Sequence, residues 1–242
     1  MTPRILLAVA GRVLNQIRRD HRTLAMLLVL PCALMTLLWW MFDDLTFRAL
    51  GPALLALFPF IIMFLVTSVT TLRERTSGTL ERLLAMPMGK LDFLGGYALA
   101  FGLVAAVQSA LAVGLSVLVL GLDVQGPVWM LTLVAIADAV LGTALGLFVS
   151  AFARTEFQAV QFMPAVVIPQ ILLCGLFVAR DAMPAVLGFI SDLLPLSYAV
   201  DAMQGVAQDL ALAEITRDLG IVVAFAAAGL ALGAVTLRRQ SA

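Results

Sequence analysis

"LRERTSGTLERLLAMPMGKLDF", residues 72–93, is the longest charged passage in a chain that is otherwise mostly apolar. It carries Arg73, Arg75, Arg82 and Lys90, four of the 15 Lys and Arg residues, and it separates two long hydrophobic runs. The 242 residues are 62% hydrophobic and only 12% charged, with a mean hydropathy of +1.07. Soluble domains carry about 25% charged residues. Half of the usual solvated surface is therefore missing, and the chain reads as lipid-facing.

Working outward from this passage, six stretches reach the roughly 20 apolar residues needed to cross a bilayer: about 23–42, 51–71, 94–120, 128–152, 158–178 and 219–237. Their apolar runs are unbroken rather than alternating, which excludes a membrane β-barrel. The fold expected is all-α, a single polytopic membrane domain over 1–242. Six spans put both ends on one side. That side would hold 12 basic residues, among them Arg4, Arg12, Arg18, Arg19, Arg22, Arg73, Arg75 and Arg82, and leave Arg48, Arg180 and Arg217 opposite. The asymmetry assigns both termini, and the 72–93 loop, to the cytoplasm. The N-terminus does not read as a cleavable signal, because about twenty mixed residues precede the first apolar run.

Residues 4–20 have helical periodicity, with Ile5, Leu6, Val9, Val13 and Ile17 on one face and Arg4, Arg12, Asn15, Arg18 and Arg19 on the other. A basic amphipathic helix of this kind suits the headgroup layer; it serves either as a topology anchor or as a lever touching a cytoplasmic partner. In the loop, Ser77-Gly78 breaks the preceding helix and can cap a new one. From Thr79 onward Leu80, Leu83 and Leu84 share a face opposite Glu81 and Arg82, and Pro87 ends the pattern. A helix of about two turns over 78–87 is unstable alone, so its leucines need a surface to dock on.

These residues carry a resemblance. "RERTSGTLERLLAMPM" is similar to the cytoplasmic loop of permease subunits of type-2 ATP-binding-cassette exporters. A second stretch, "CGLFVARDAMPAVLGFISDLLPLSYAVDAMQG" (174–205), resembles the segment after the fifth span of that family through Gly175, Phe177, Met183-Pro184, Leu193, Pro195-Leu196 and Tyr198. The resemblance implies a permease that dimerises with an identical or homologous copy, sits on two cassette ATPase subunits, and passes substrate outward between its two copies. It also implies that Glu74, Arg75, Gly78, Thr79, Leu80, Glu81, Arg82, Leu83 and Leu84 form the ATPase-coupling element. Residues 179–200 would be a re-entrant pair of half-helices bent at Pro184 and Pro195. The apolar 179–200 stretch, broken by prolines, agrees with that reading, because irregular backbone at membrane depth needs protein or a cavity around it.

Inside the spans the chemistry is sparse. Asp138 lies near the middle of the fourth span, where a charge is costly; it is either a polar point on the substrate path or, as expected here, a structural hydrogen-bond partner of Gln108 or Ser109. Gly142/Gly146 and Gly229/Gly233 form small-xxx-small packing faces, within one subunit or across a dimer. Pro164 and Pro169 should kink the fifth span, where Gln158, Gln161 and Gln170 could line a route. The sequence holds no GxxxxGK[S/T] phosphate loop, since Gly89-Lys90 is followed by Leu91. No cofactor is expected on this chain, and ATP and Mg²⁺ belong to the partner ATPase. The two cysteines, Cys32 and Cys174, form no CxxC, and His21 is the lone histidine. An intramembrane enzyme, a metal site and a nucleic-acid partner are not expected. The expected activity is export of a drug, antibiotic or lipid-like substrate across the cell membrane. The alternatives are a polysaccharide or haem exporter of the same class, or an ATPase-independent secondary transporter.

Overall fold

Short polar side chains set where the helices begin. The structure is a computed structural model that describes residues 3–76 and 90–236. Asp20 closes the first helix and opens the second: its Oδ1 accepts from the backbone N–H groups of Arg22 and Thr23, and its Oδ2 from the Thr23 hydroxyl at 2.7 Å. Asp43 does the same for the third helix through Thr46, whose hydroxyl donates at 2.6 Å. Thr155 accepts from Gln158 N–H at 3.2 Å, and Gln158 Oε1 reaches back to Arg154 N–H. Each cap satisfies backbone donors that the first helical turn leaves open.

The elements are α1 (Pro3–Arg19), α2 (His21–Met41), α3 (Asp44–Thr76), α4 (Lys90–Leu118), α5 (Val128–Ser150), α6 (Glu156–Leu173), a short 3-10 turn (Arg180–Ala182), α7 (Ala185–Asp192), α8 (Pro195–Ala207) and α9 (Leu212–Thr236). No strand occurs among the described residues. Six helices, α2 to α6 and α9, are long and apolar enough to cross a membrane, and α7 with α8 makes a pair bent by 89°. Several helices overrun the lengths expected from hydropathy. α3 starts at Asp44 because its cap lies there, and α9 starts at Leu212 rather than near 219. At 1.5 Å per residue, α3's 33 residues reach about 50 Å, well beyond a hydrocarbon core of about 30 Å.

The core forms around α3 and α5, which run in the same direction. Gly142 and Gly146 of α5 lie against the backbone carbonyls of Phe60 and Phe64 in α3, so close that a Cβ at either glycine would overlap them. Gly229 of α9 sits against Ala144 of the same chain. The two glycine pairs therefore belong to packing within one chain. α3 buries 72% of its most apolar stretch and α5 61%, whereas α2 and α6 bury 17% each and stand at the periphery. α6 runs unbroken through Pro164 and Pro169.

Ion pairs mark the two ends. Arg48 of α3 meets Asp123 of the α4–α5 loop at 2.9 Å, and that loop also bonds to the end of α8 through Gln125 N–H to Ala207 C=O and Gly126 N–H to Val206 C=O. At the other end Arg73 holds Glu156 at 2.8 Å, and Arg75 donates to the Ser150 carbonyl.

Candidate functional site

The foot of α3 carries the densest polar contacts of the end that also holds α1. The apolar face of α1, with Val9, Ala10, Val13 and Ile17, is buried against Tyr97, Phe101 and the inner turns of α3 rather than left for lipid. Gly96 admits this approach, since a Cβ there would strike Val9. Arg12, expected on the solvated face, instead turns inward. Its Nη2 donates to both Glu74 carboxylate oxygens, at 3.1 and 3.0 Å, and to the Tyr97 hydroxyl at 2.7 Å. The guanidinium also lies 5.9 Å from the Tyr97 ring centroid. Three segments distant in sequence, α1, α3 and α4, are clasped by one side chain.

Glu74 is 5% exposed, and it lies two residues before the end of α3. Arg75, its neighbour, ties the same helix to the end of α5. The expected coupling residues Gly78, Thr79, Leu80, Glu81, Arg82, Leu83 and Leu84, with the helix assigned to 78–87, lie outside the described residues. Of that set, Glu74 and Arg75 are described, and both are braced. Arg12 and Tyr97 were missed by sequence reasoning: a contact spanning 62 or 85 residues leaves no periodic signal.

At the opposite end the motif 174–205 builds the bent pair. Gly175 takes φ +91°, a left-handed conformation natural to glycine, and its Cα faces the Arg180 side chain. Pro184 precedes α7 and Pro195 is the first residue of α8, as proline's missing N–H and fixed φ favour. The second half-helix continues to Ala207, beyond the expected limit at 200. Arg180 is the hub: it pairs with Asp192 at the end of α7 and Asp201 in α8, and its guanidinium stacks 4.8 Å from the Tyr198 ring centroid. Tyr198 OH donates to the Asp192 carbonyl at 2.8 Å. Below them Ser191 donates to the Leu173 carbonyl at 2.7 Å. A cavity of about 630 Å³ opens beside Arg180, Tyr198, Asp201 and Arg217. Phe177 is exposed, Met183 half-buried, and Leu187, Phe189, Ile190 and Leu193 present an apolar face that the described residues leave uncovered.

The intramembrane polar residues do not form the bonds expected of them. Asp138 is fully buried, and neither of its oxygens has a hydrogen-bond partner among the described residues. Gln108 is likewise buried and unbonded, while Ser109 donates to the Ala135 carbonyl at 3.1 Å. The expected bond from Asp138 to Gln108 or Ser109 is thus absent, because Ser109 is committed one turn away. Gln170 braces the bent pair: its Oε1 accepts from Leu196 N–H at 3.3 Å, and its Nε2 donates to Val166 C=O. Gln161 is exposed on α6, and Gln158 serves as the helix cap described above.

Comparison with known proteins places this architecture. Residues 5–207 match the model of the ABC-2 type transporter family. The chain is 26% identical to the probable multidrug ABC transporter permease YbhS of Escherichia coli over 154 residues, 63% of this chain and 41% of that protein. It is 25% identical to the linearmycin resistance permease protein LnrN of Bacillus subtilis over 198 residues, 81% of this chain and 50% of the relative. To ABC transporter G family member 20 of Dictyostelium discoideum it is 25% identical over 157 residues, 65% of this chain and 22% of the relative. The matches thus cover between about a fifth and a half of the relatives' own length. With six apolar helices of spanning length, a bent helix pair and a family match over most of its length, the chain is a multi-pass membrane protein and belongs to the ABC-2 type transporter family.

Proposed function

We propose that the chain is the membrane-spanning permease half of an ATP-driven exporter, with both termini in the cytoplasm of a cell that carries it in its inner or plasma membrane. The observation that carries this reading is the Arg12–Glu74–Tyr97 clasp, which stiffens the foot of α3 immediately before residues 77–89. A force delivered there enters a helix that runs to the far end of the molecule. Leu80, Leu83 and Leu84 dock into a groove of a cassette ATPase, and Glu81 and Arg82 set orientation at its rim. ATP and Mg²⁺ bind the ATPase, and this chain contributes no catalytic group. Two copies, or this chain with a homologue, assemble on two ATPase subunits. The names of the relatives, multidrug and linearmycin resistance permeases, support a drug, antibiotic or lipid-like substrate.

The test is the Leu83→Asp variant, co-expressed with its cassette ATPase. It is expected to lose the ATPase on purification while the permease stays folded in detergent, because burying each leucine is worth roughly 1.5–3 kcal/mol. Co-purification at the wild-type ratio would remove the docking reading.

A further inference from the structure

Among the described residues six arginines are engaged. Arg12, Arg48, Arg73, Arg180 and Arg217 hold carboxylates, and Arg75 holds a backbone carbonyl. At the elbow where α1 meets α2 the pattern reverses. Asn15, Arg18, Arg19 and His21 line one cavity of about 430 Å³, all four are exposed, and none forms a side-chain hydrogen bond or ion pair among the described residues. The one acid in the elbow, Asp20, is committed to capping α2. We propose that this cavity binds the phosphate of an anionic phospholipid headgroup.

The chemistry fits a phosphate diester. Two planar guanidinium groups present forked donors that match phosphate oxygens, and the Asn15 amide and the His21 ring add further donors from the two sides of the elbow. The surroundings select a lipid over a free anion. α2 is a membrane-spanning helix, and within two to three turns of His21 it exposes Met26, Val29 and Leu30, at 44%, 61% and 38%. A headgroup at the elbow places its acyl chains along that strip. The apolar face of α1 is already spent on the protein, so its basic end is free to face the headgroup layer. Basic pockets between membrane helices are suited to anionic headgroups in this way. Because Arg12 lies on the same helix, a headgroup held at Arg18 and Arg19 also fixes α1 where it clasps Glu74. The inference rests only on α2 crossing the bilayer, and not on the exporter reading.

The experiment reconstitutes the full chain into nanodiscs of phosphatidylcholine mixed with phosphatidylglycerol and measures, by mass spectrometry, the phosphatidylglycerol retained after detergent extraction. Wild type is expected to retain it selectively. The R18Q/R19Q/H21Q variant should lose it, by on the order of fivefold for each arginine removed, whereas Arg4→Gln should not. Equal retention by the triple variant overturns the proposal. So does displacement of the lipid by inorganic phosphate but not by sodium chloride at the same ionic strength, which would make the cavity a site for a free anion. Should the triple variant fail to fold, salt decides on wild type: retention that is insensitive to ionic strength sinks the proposal, and loss on raising salt supports it.

Discussion

Arg12 and Glu74, 62 residues apart in the chain, meet at 3.0 Å at the foot of α3. The carboxylate is nearly fully buried and the arginine about one-third exposed. The pair therefore sits between a surface ion pair, which is worth little, and a wholly buried one, which is costly to break from one side.

Arg12→Ala is expected to destabilise the chain by about 2–3 kcal/mol, just below the roughly 3–5 kcal/mol for breaking a wholly buried pair, because the arginine is partly exposed. Tyr97→Phe removes one neutral acceptor and should cost about 1 kcal/mol. A double-mutant cycle on Arg12 and Glu74, read by thermal melting in detergent, should give a coupling of about 1–3 kcal/mol. Additive effects would show that the contact carries no energy.

Gly142 and Gly146 are expected to tolerate no side chain. Gly142→Ala forces α5 away from the Phe60 carbonyl and should cost about 1–3 kcal/mol by overpacking. Gly114, in α4, has nothing within 4 Å of where its Cβ would stand. Gly114→Ala should be neutral or stabilising by about 0.5–1 kcal/mol. Monodisperse yield and melting temperature distinguish the two.

Asp138→Asn is expected to leave folding and transport intact, and to raise the melting temperature slightly. The carboxyl has no donor facing it among the described residues, so an amide replaces it without breaking a bond. Loss of transport with normal assembly would assign Asp138 to the substrate path.

Asp20 gives the chain a dependence on acid. The Thr23 hydroxyl, together with the Thr23 and Arg22 N–H groups, holds its carboxyl below the usual aspartate range. A group whose folded pKa is depressed contributes stability in full above its unfolded value, near 3.9, and loses it as pH falls through the folded one. Asp20→Ala should therefore lie about 1 kcal/mol below wild type at neutral pH. The gap between their melting temperatures should hold down to about pH 4 and close below it.

The membrane helices and the bent pair were legible because hydropathy and proline are local signals: Pro184 and Pro195 stand where the half-helices begin. Side-chain partnerships were not. Periodicity puts Arg12 on the polar face of α1, yet its long stem lets the guanidinium swing round to Glu74, as long cationic side chains do. Gln170 looked like a pore-lining amide, and only the fold brings Leu196 N–H within reach of it. For Asp138 the expected partners were near in register, but Ser109 points its hydroxyl at Ala135 instead. Gly142 and Gly146 announced close packing, and the identity of the surface they close on, Phe60 and Phe64, required the helix directions.

The length of α3 has a mechanical consequence. It is a continuous shaft of 33 residues, bonded near one end through Arg48 and at the other through Arg73, Glu74 and Arg75. A buried rod of this kind does not absorb a displacement locally, because close-packed interiors are stiff and shift between discrete arrangements. A thrust applied at residue 76 arrives near Arg48 as tilt or translation of the whole shaft. The more compliant parts of the fold then lie elsewhere, in α2 and α6, which are held over only 17% of their apolar stretches.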